Sequence, residues 1–239
     1  MKFQMMMALT GRTGARVGST VLMMGLIAGL MANGAGRAEA QAVPTGNGKL
    51  GPADPVTYAN KWEFYGGVNF MNFQAGQALP KRMNLGGTEG SITYWLNKKV
   101  GLTADYRWDG GTTPVLANNY VNRPFVYLNM GMFGVQYRGP KNRYVAINYH
   151  AFGGVAYGVF NSSTQHVPPT LNNGVGVGLY PNGSAGMEAL GGSIDFNRSK
   201  NWAFRLSPDL ILEQFGTGTS EFFAISGGVV YRFGNPKKK

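Results

Sequence analysis

From Lys61 onward the chain alternates apolar and polar residues with a period of two, the signature of strands with two unlike faces. In the last such stretch, Phe222 to Phe233, the residues Phe223, Ile225, Gly227, Val229, Tyr231 and Phe233 share one face. Phe222, Ala224, Ser226, Gly228, Val230 and Arg232 share the other. One face is greasy and ends in two aromatics, while the other is small and ends in a charge. A soluble sandwich needs a dry core and a charged exterior, whereas a membrane-spanning barrel strand has this character.

The same pattern predicts eight strands at about Trp62–Phe73, Leu85–Leu96, Val100–Trp108, Phe125–Arg138, Arg143–Phe160, Gly186–Asn197, Asn201–Phe215 and Phe222–Phe233. The third alternates most cleanly, with Val100, Leu102, Ala104, Tyr106 and Trp108 opposite Gly101, Thr103, Asp105 and Arg107. In the fourth, Met130, Met132 and Phe133 put apolar residues on both faces and leave the phase open. Short connections at Asn97–Lys99, Gly139–Asn142 and Arg198–Lys200 alternate with long ones near 74–84, 109–124, 161–185 and 216–221. Short turns on one side, long loops on the other and an even strand count are the plan of outer-membrane barrels. The predicted fold class is therefore all-β, an eight-stranded antiparallel up-and-down transmembrane β-barrel, with both termini on the short-turn side.

Composition supports a partly non-aqueous exterior. Only 14% of the 239 residues are charged, against about 25–35% of positions on a typical soluble surface. That density also makes a poor coat for the alternative, a soluble lipocalin-like barrel. Trp62, Trp95, Tyr137, Trp202, Tyr231 and Phe233 fall beside the short turns and chain ends, as an interfacial aromatic girdle would. Beyond the N-terminus no apolar run approaches the roughly 20 residues of a spanning helix. A closed barrel is then the remaining spanning structure that satisfies its own backbone. The net charge of +11 invites a nucleic-acid reading. Four basic residues precede residue 41 and three end the chain, however, leaving 15 basic against 10 acidic residues over 41–236. No basic helix stripe or zinc-finger spacing accompanies them, so no nucleic-acid partner is expected.

Lys2, Arg12 and Arg16 precede the apolar run Val21–Ala32, and Ala38-Glu39-Ala40 follows as a small-x-small cleavage site, with Ala40-Gln41-Ala42 as the competing register. Residues 1–40 thus read as a cleaved signal peptide. Residues 41–60, dense in Pro and Gly, read as a flexible periplasmic arm, 61–233 as the barrel and 234–239 as a basic tail.

Ser226-Gly227-Gly228-Val229-Val230-Tyr231-Arg232-Phe233 resembles the C-terminal assembly signal of bacterial outer-membrane proteins: polar, any, Gly, two residues, aromatic, any, aromatic. Gly186–Gly234 is similar to the end of the superfamily that includes the outer membrane protein A transmembrane barrel, and Met132–Gly154 resembles small porin-like proteins. The resemblance implies a Gram-negative outer-membrane location, lipid contact and recognition of Ser226, Gly228, Tyr231 and Phe233 by the barrel-assembly machinery. Six residues, Gly234–Lys239, follow the Phe at which family members commonly stop.

With the greasy face outward, the lumen receives Glu63, Glu89, Asp105, Arg107, His150, Asp195, Arg205, Asp209, Glu213 and Arg232. Acids and bases mixed in a narrow interior must pair, since stranding one costs several kcal/mol. A three-residue turn at Asn97–Lys99 sets Glu89 opposite Arg107, and barrel closure brings Arg232 to Glu63. The expected role is structural or loop-mediated binding around a side-chain-plugged lumen, with a narrow porin-like channel as the alternative. A lipid A-modifying enzyme is a third reading. It needs a Ser nucleophile with a His base and an orienting group. Neither His150, mid-strand, nor His166, in a Pro-rich loop, has that pattern around it. Gly174-Val175-Gly176-Val177-Gly178 lacks the Lys of a phosphate loop, and no metal-ligand spacing occurs, so no cofactor is expected.

Overall fold

The computed structural model describes residues 56–77, 82–113, 125–160 and 178–234. Eight antiparallel strands, β1 (Trp62–Phe73), β2 (Met83–Trp95), β3 (Val100–Thr112), β4 (Phe125–Lys141), β5 (Val145–Val159), β6 (Gly183–Asn197), β7 (Trp202–Glu213) and β8 (Ser220–Phe233), pair in chain order. β8 then pairs with β1 from Trp62↔Phe233 to Asn72↔Phe223 and closes the barrel, so the sheet has no free edge. The fold class is as the alternation predicts.

Side-chain shape and hydrogen bonding explain the short turns. Asn97 Oδ1 accepts from the backbone N–H groups of Lys99 (2.8 Å) and Val100 (2.9 Å). Asn142 Oδ1 does the same for Tyr144 (2.7 Å) and Val145 (2.8 Å), and Ser199 Oγ accepts from Trp202 N–H at 3.1 Å. Each turn is thus closed by a polar side chain folded onto its own backbone. This corrects one predicted turn. The connection expected at Gly139–Asn142 lies at 142–144, and Gly139, Pro140 and Lys141 extend β4. Pro140 has no N–H to give the ladder and falls where the β4–β5 register shifts, between Arg138 and Lys141. At the other end β2, β3, β6 and β8 run two to four residues further than predicted, beginning at Met83, ending at Thr112, and beginning at Gly183 and Ser220.

The exterior is apolar. Phe64, Val68, Phe133, Val155 and Phe204 are each more than half exposed. Around the short-turn end runs an outward belt in which Trp62 meets Tyr94 (4.7 Å), Trp202 meets Tyr231 (4.7 Å) and Tyr137 meets Tyr149 (6.5 Å). Trp95 is not in that belt. It has the opposite parity to Tyr94, points inward and is 1% exposed.

Inward side chains form two layers, as an eight-stranded interior has room for. The short-turn half is ionic. The long-loop half is an apolar cluster that includes Met71, Phe73, Leu85, Leu128, Met130, Phe152, Met187, Ile211 and Phe222. This second layer fixes the open phase of β4: Val126, Leu128, Met130, Met132, Gln136 and Arg138 point inward, and Phe133, Val135 and Tyr137 outward.

Candidate functional site

The charged interior consists of two clusters, each assembled by registers that place acids and bases on adjacent inward positions. In the cluster nearer the turns, Glu63 on β1 sits directly across from Arg232 on β8, and Asp195 on β6 across from Arg205 on β7. Glu63 accepts from Arg138 Nη2 at 2.5 Å, Arg232 Nε at 2.8 Å and Arg205 Nη2 at 3.4 Å. Asp195 accepts from Arg205 Nε at 2.6 Å, Arg232 Nη2 at 2.9 Å and Asn148 Nδ2 at 3.2 Å. Three guanidiniums face two carboxylates. The excess cation, Arg138, lies 3.7 Å from the centroid of the Trp95 ring, whose face supplies a partial counter-charge.

In the cluster nearer the loops, Arg107 on β3 is the hub. Its Nε contacts Asp105 Oδ1 at 2.8 Å and Glu89 Oε2 at 3.4 Å, and its Nη2 reaches Asp209 Oδ2 at 2.7 Å. Glu89 and Arg107 are cross-strand partners. His150 Nε2 is 2.7 Å from Asp209 Oδ1, and its ring stacks on Phe152 at 4.5 Å. Asn69 Nδ2 donates to Asp109 at 2.7 Å. Between the clusters, the Thr93 and Thr103 hydroxyls hydrogen-bond to Gln136 Oε1 at 3.1 and 3.3 Å. Glu213, also buried, stands apart near the loop end and accepts from Phe215 N–H at 2.8 Å.

Described residues lie at both mouths. At the turn side, Tyr58 is buried with φ 53°, a conformation that costs of order 1–3 kcal/mol in a residue other than Gly. Its hydroxyl donates to the Asn142 carbonyl at 2.5 Å and accepts from Asn197 Nδ2 at 2.6 Å. Its ring lies 5.1 Å from Arg138 and 5.3 Å from Arg232. Burial raises its pKa above the ordinary phenol value, against the opposing pull of the Asn197 hydrogen bond and the two arginines, and the phenol remains a neutral donor. Tyr58 falls within the arm expected at 41–60, yet two hydrogen bonds and two cation–ring contacts hold that residue in the mouth. At the loop side, Phe160, Tyr180 and Phe215 pack together at 5.3–6.1 Å. Tyr180 N–H donates to the Ala75 carbonyl at 2.8 Å. Gly76 and Gly178 permit that approach: a Cβ on Gly76 would collide with the Gly178 carbonyl, and Gly178 has φ 85°.

Of the expected site residues, Glu63, Asp195, Arg205 and Arg232 meet in the first cluster, and Glu89, Asp105, Arg107, His150 and Asp209 in the second. Within the assembly motif, Ser226 Oγ accepts from the Tyr65 hydroxyl at 3.1 Å. Gly228 pairs with Gly67, and Tyr231 and Phe233 belong to the aromatic belt. Arg138, Asp109, Asn69, Gln136 and Tyr58 were not among the expected site residues. The parity of β4 could have supplied Arg138 and Gln136, and a longer third strand Asp109. No signal in the sequence marks Tyr58. His166, residues 174–177, the cleavage site and the final five residues lie outside the described residues.

No family model matches the chain, and no curated protein matches it. Among solved structures it is similar to the attachment invasion locus protein Ail of Yersinia pestis (15% identity over 73% of this chain and 99% of that one, TM-score 0.48). It is also similar to Neisserial surface protein A (10% identity, 72% and 97% coverage, TM-score 0.48). A third is the outer membrane protein OprG of Pseudomonas aeruginosa (10% identity, 75% and 97% coverage, TM-score 0.44). The assignment as a closed eight-stranded antiparallel β-barrel rests on the strand pairing of this chain itself.

Proposed function

We propose that the protein spans the outer membrane of a Gram-negative bacterium as a non-enzymatic, closed barrel that serves structurally or displays its long connections as a binding surface. The observation that carries this reading is the inversion of a soluble fold: apolar side chains cover the exterior while Glu63, Glu89, Asp105, Asp195 and Asp209 are buried and paired with buried guanidiniums. A lipid environment gives that exterior its solvent. The ionic layer, the apolar layer above it, Tyr58 below and the Phe160–Tyr180–Phe215 cluster above support a lumen that does not conduct. His150 is engaged by Asp209 and Phe152, which supports a packing role for it. The export signal, and assembly through Ser226, Gly228, Tyr231 and Phe233, belong to the same reading.

Planar-bilayer recording of the purified full chain tests it. The expected result is a bilayer whose conductance stays at baseline after insertion. A steady unitary conductance that disappears on substituting Arg107 or Glu63 would establish the narrow-channel alternative in its place.

A further inference from the structure

Among the described residues, the exposed acids of the barrel lie at one end and all the exposed cations but Arg82, which sits at the long-loop end beside Glu221, lie at the other. At the short-turn end, Lys61, Lys98, Lys99, Lys141, Arg143, Arg198 and Lys200 are all exposed, and none makes an ion pair among the described residues. Every carboxylate near that end, Glu63 and Asp195, is buried inside. The exposed acids among the described residues are Glu188 and Glu221, both in the long-loop half, where they flank Leu212 in one row of the sheet. Among the described residues the short-turn rim is therefore a ring of seven cations with no exposed acid interspersed. Random surface charge mixes the two signs, so a single-sign ring sets up a field toward a partner of opposite sign.

The position of the ring identifies that partner. It lies immediately beyond the outward aromatic belt of Trp62, Tyr94, Tyr137, Trp202 and Tyr231. Such belts sit at headgroup level in a bilayer, which sets the cations at phosphate depth. Lys61 and Lys98 also flank a pocket of about 180 Å³ lined by Tyr58, Asn60 and Trp95. Two lysines lining one concavity suit a single phosphodiester. We propose that the short-turn rim binds the headgroups of anionic glycerophospholipids in the leaflet it faces, with the pocket between Lys61 and Lys98 as its most specific position. The proposal rests on the membrane reading given above. It deepens that reading by naming a lipid class and a leaflet.

The test uses the folded full chain in micelles of a zwitterionic detergent carrying equal phosphatidylglycerol and phosphatidylcholine, with native mass spectrometry counting retained lipids. Near an anionic surface each basic side chain strengthens binding roughly fivefold. Phosphatidylglycerol should therefore be retained at least about fivefold over phosphatidylcholine, and the preference should shrink at high salt. Combining Lys98→Glu, Lys99→Glu, Arg198→Glu and Lys200→Glu should bring the two lipids to parity while the folded band on an unboiled gel persists. If that variant does not fold, Lys98→Gln with Lys99→Gln, together with the salt series on the unmodified chain, decides the matter. Equal retention by the unmodified chain, an unchanged preference in a folded variant, or capture of a single-stranded oligonucleotide in place of the lipid would each overturn the proposal. Absence of a folded, heat-sensitive band from the unmodified chain would instead overturn the membrane reading beneath it.

Discussion

Glu63 ties three strands' guanidiniums together, since Arg138, Arg205 and Arg232 all contact it. Breaking a buried ion pair by removing one partner costs about 3–5 kcal/mol, because the remaining charge is left uncompensated. Glu63→Gln leaves three guanidiniums facing Asp195 alone, and urea unfolding of the barrel in vesicles should show a loss in that range. Arg138→Met is a similar change in volume with a different electrostatic outcome. It removes the excess cation, so two guanidiniums then face two carboxylates, and its loss should be less than half as large. Equal losses from the two substitutions would mean that charge balance does not organise this layer. The pairing of Glu63 with Arg232 and of Glu89 with Arg107 was legible in the sequence, because turn length and closure set register and register sets neighbours. The part of Arg138 was not, because Met130, Met132 and Phe133 made the phase of its strand ambiguous.

Among the elements, β8 carries a local constraint at its seam with β1. Gly228 faces inward, directly opposite Gly67 on β1, and a Cβ on it would meet the Gly66 carbonyl oxygen and the Gly67 Cα. The Gly of the C-terminal motif is therefore also a steric requirement of barrel closure. Gly228→Val should abolish the folded band of the unboiled protein in refolding from urea into detergent, where no assembly machinery is present. Normal refolding there would assign the glycine to recognition alone. Strand positions were read well wherever one face is apolar and the other small or polar, as in β1, β3 and β7. They were read short at the loop end of β2, β3, β6 and β8, where Gly, Asn and Ser dominate and the apolar periodicity fades although the ladder continues.

At the scale of the molecule, the barrel separates three environments: an apolar exterior, an ionic interior toward the turns and an apolar interior toward the loops. The exterior and the ionic layer were legible because they differ in chemistry from the face opposite. The apolar inner layer was not, since an inward Met or Phe and an outward one look alike when both faces of a strand are greasy. Nor was the closure by Tyr58, a contact between a Pro- and Gly-rich segment and a mouth that exists only after all eight strands have met. The central claim, that this exterior is dissolved in lipid and this interior is not, is tested most directly with the chain's four tryptophans. Trp62, Trp108 and Trp202 face outward and are 37%, 39% and 50% exposed, whereas Trp95 faces inward at 1%. Single-tryptophan variants, with Phe at the other three positions, are reconstituted into vesicles of brominated phospholipid and their fluorescence compared with that in unbrominated vesicles. Strong quenching of Trp62, Trp108 and Trp202 with Trp95 nearly unquenched is the predicted result; quenching of Trp95 to the same extent, or of none of the four, would contradict it.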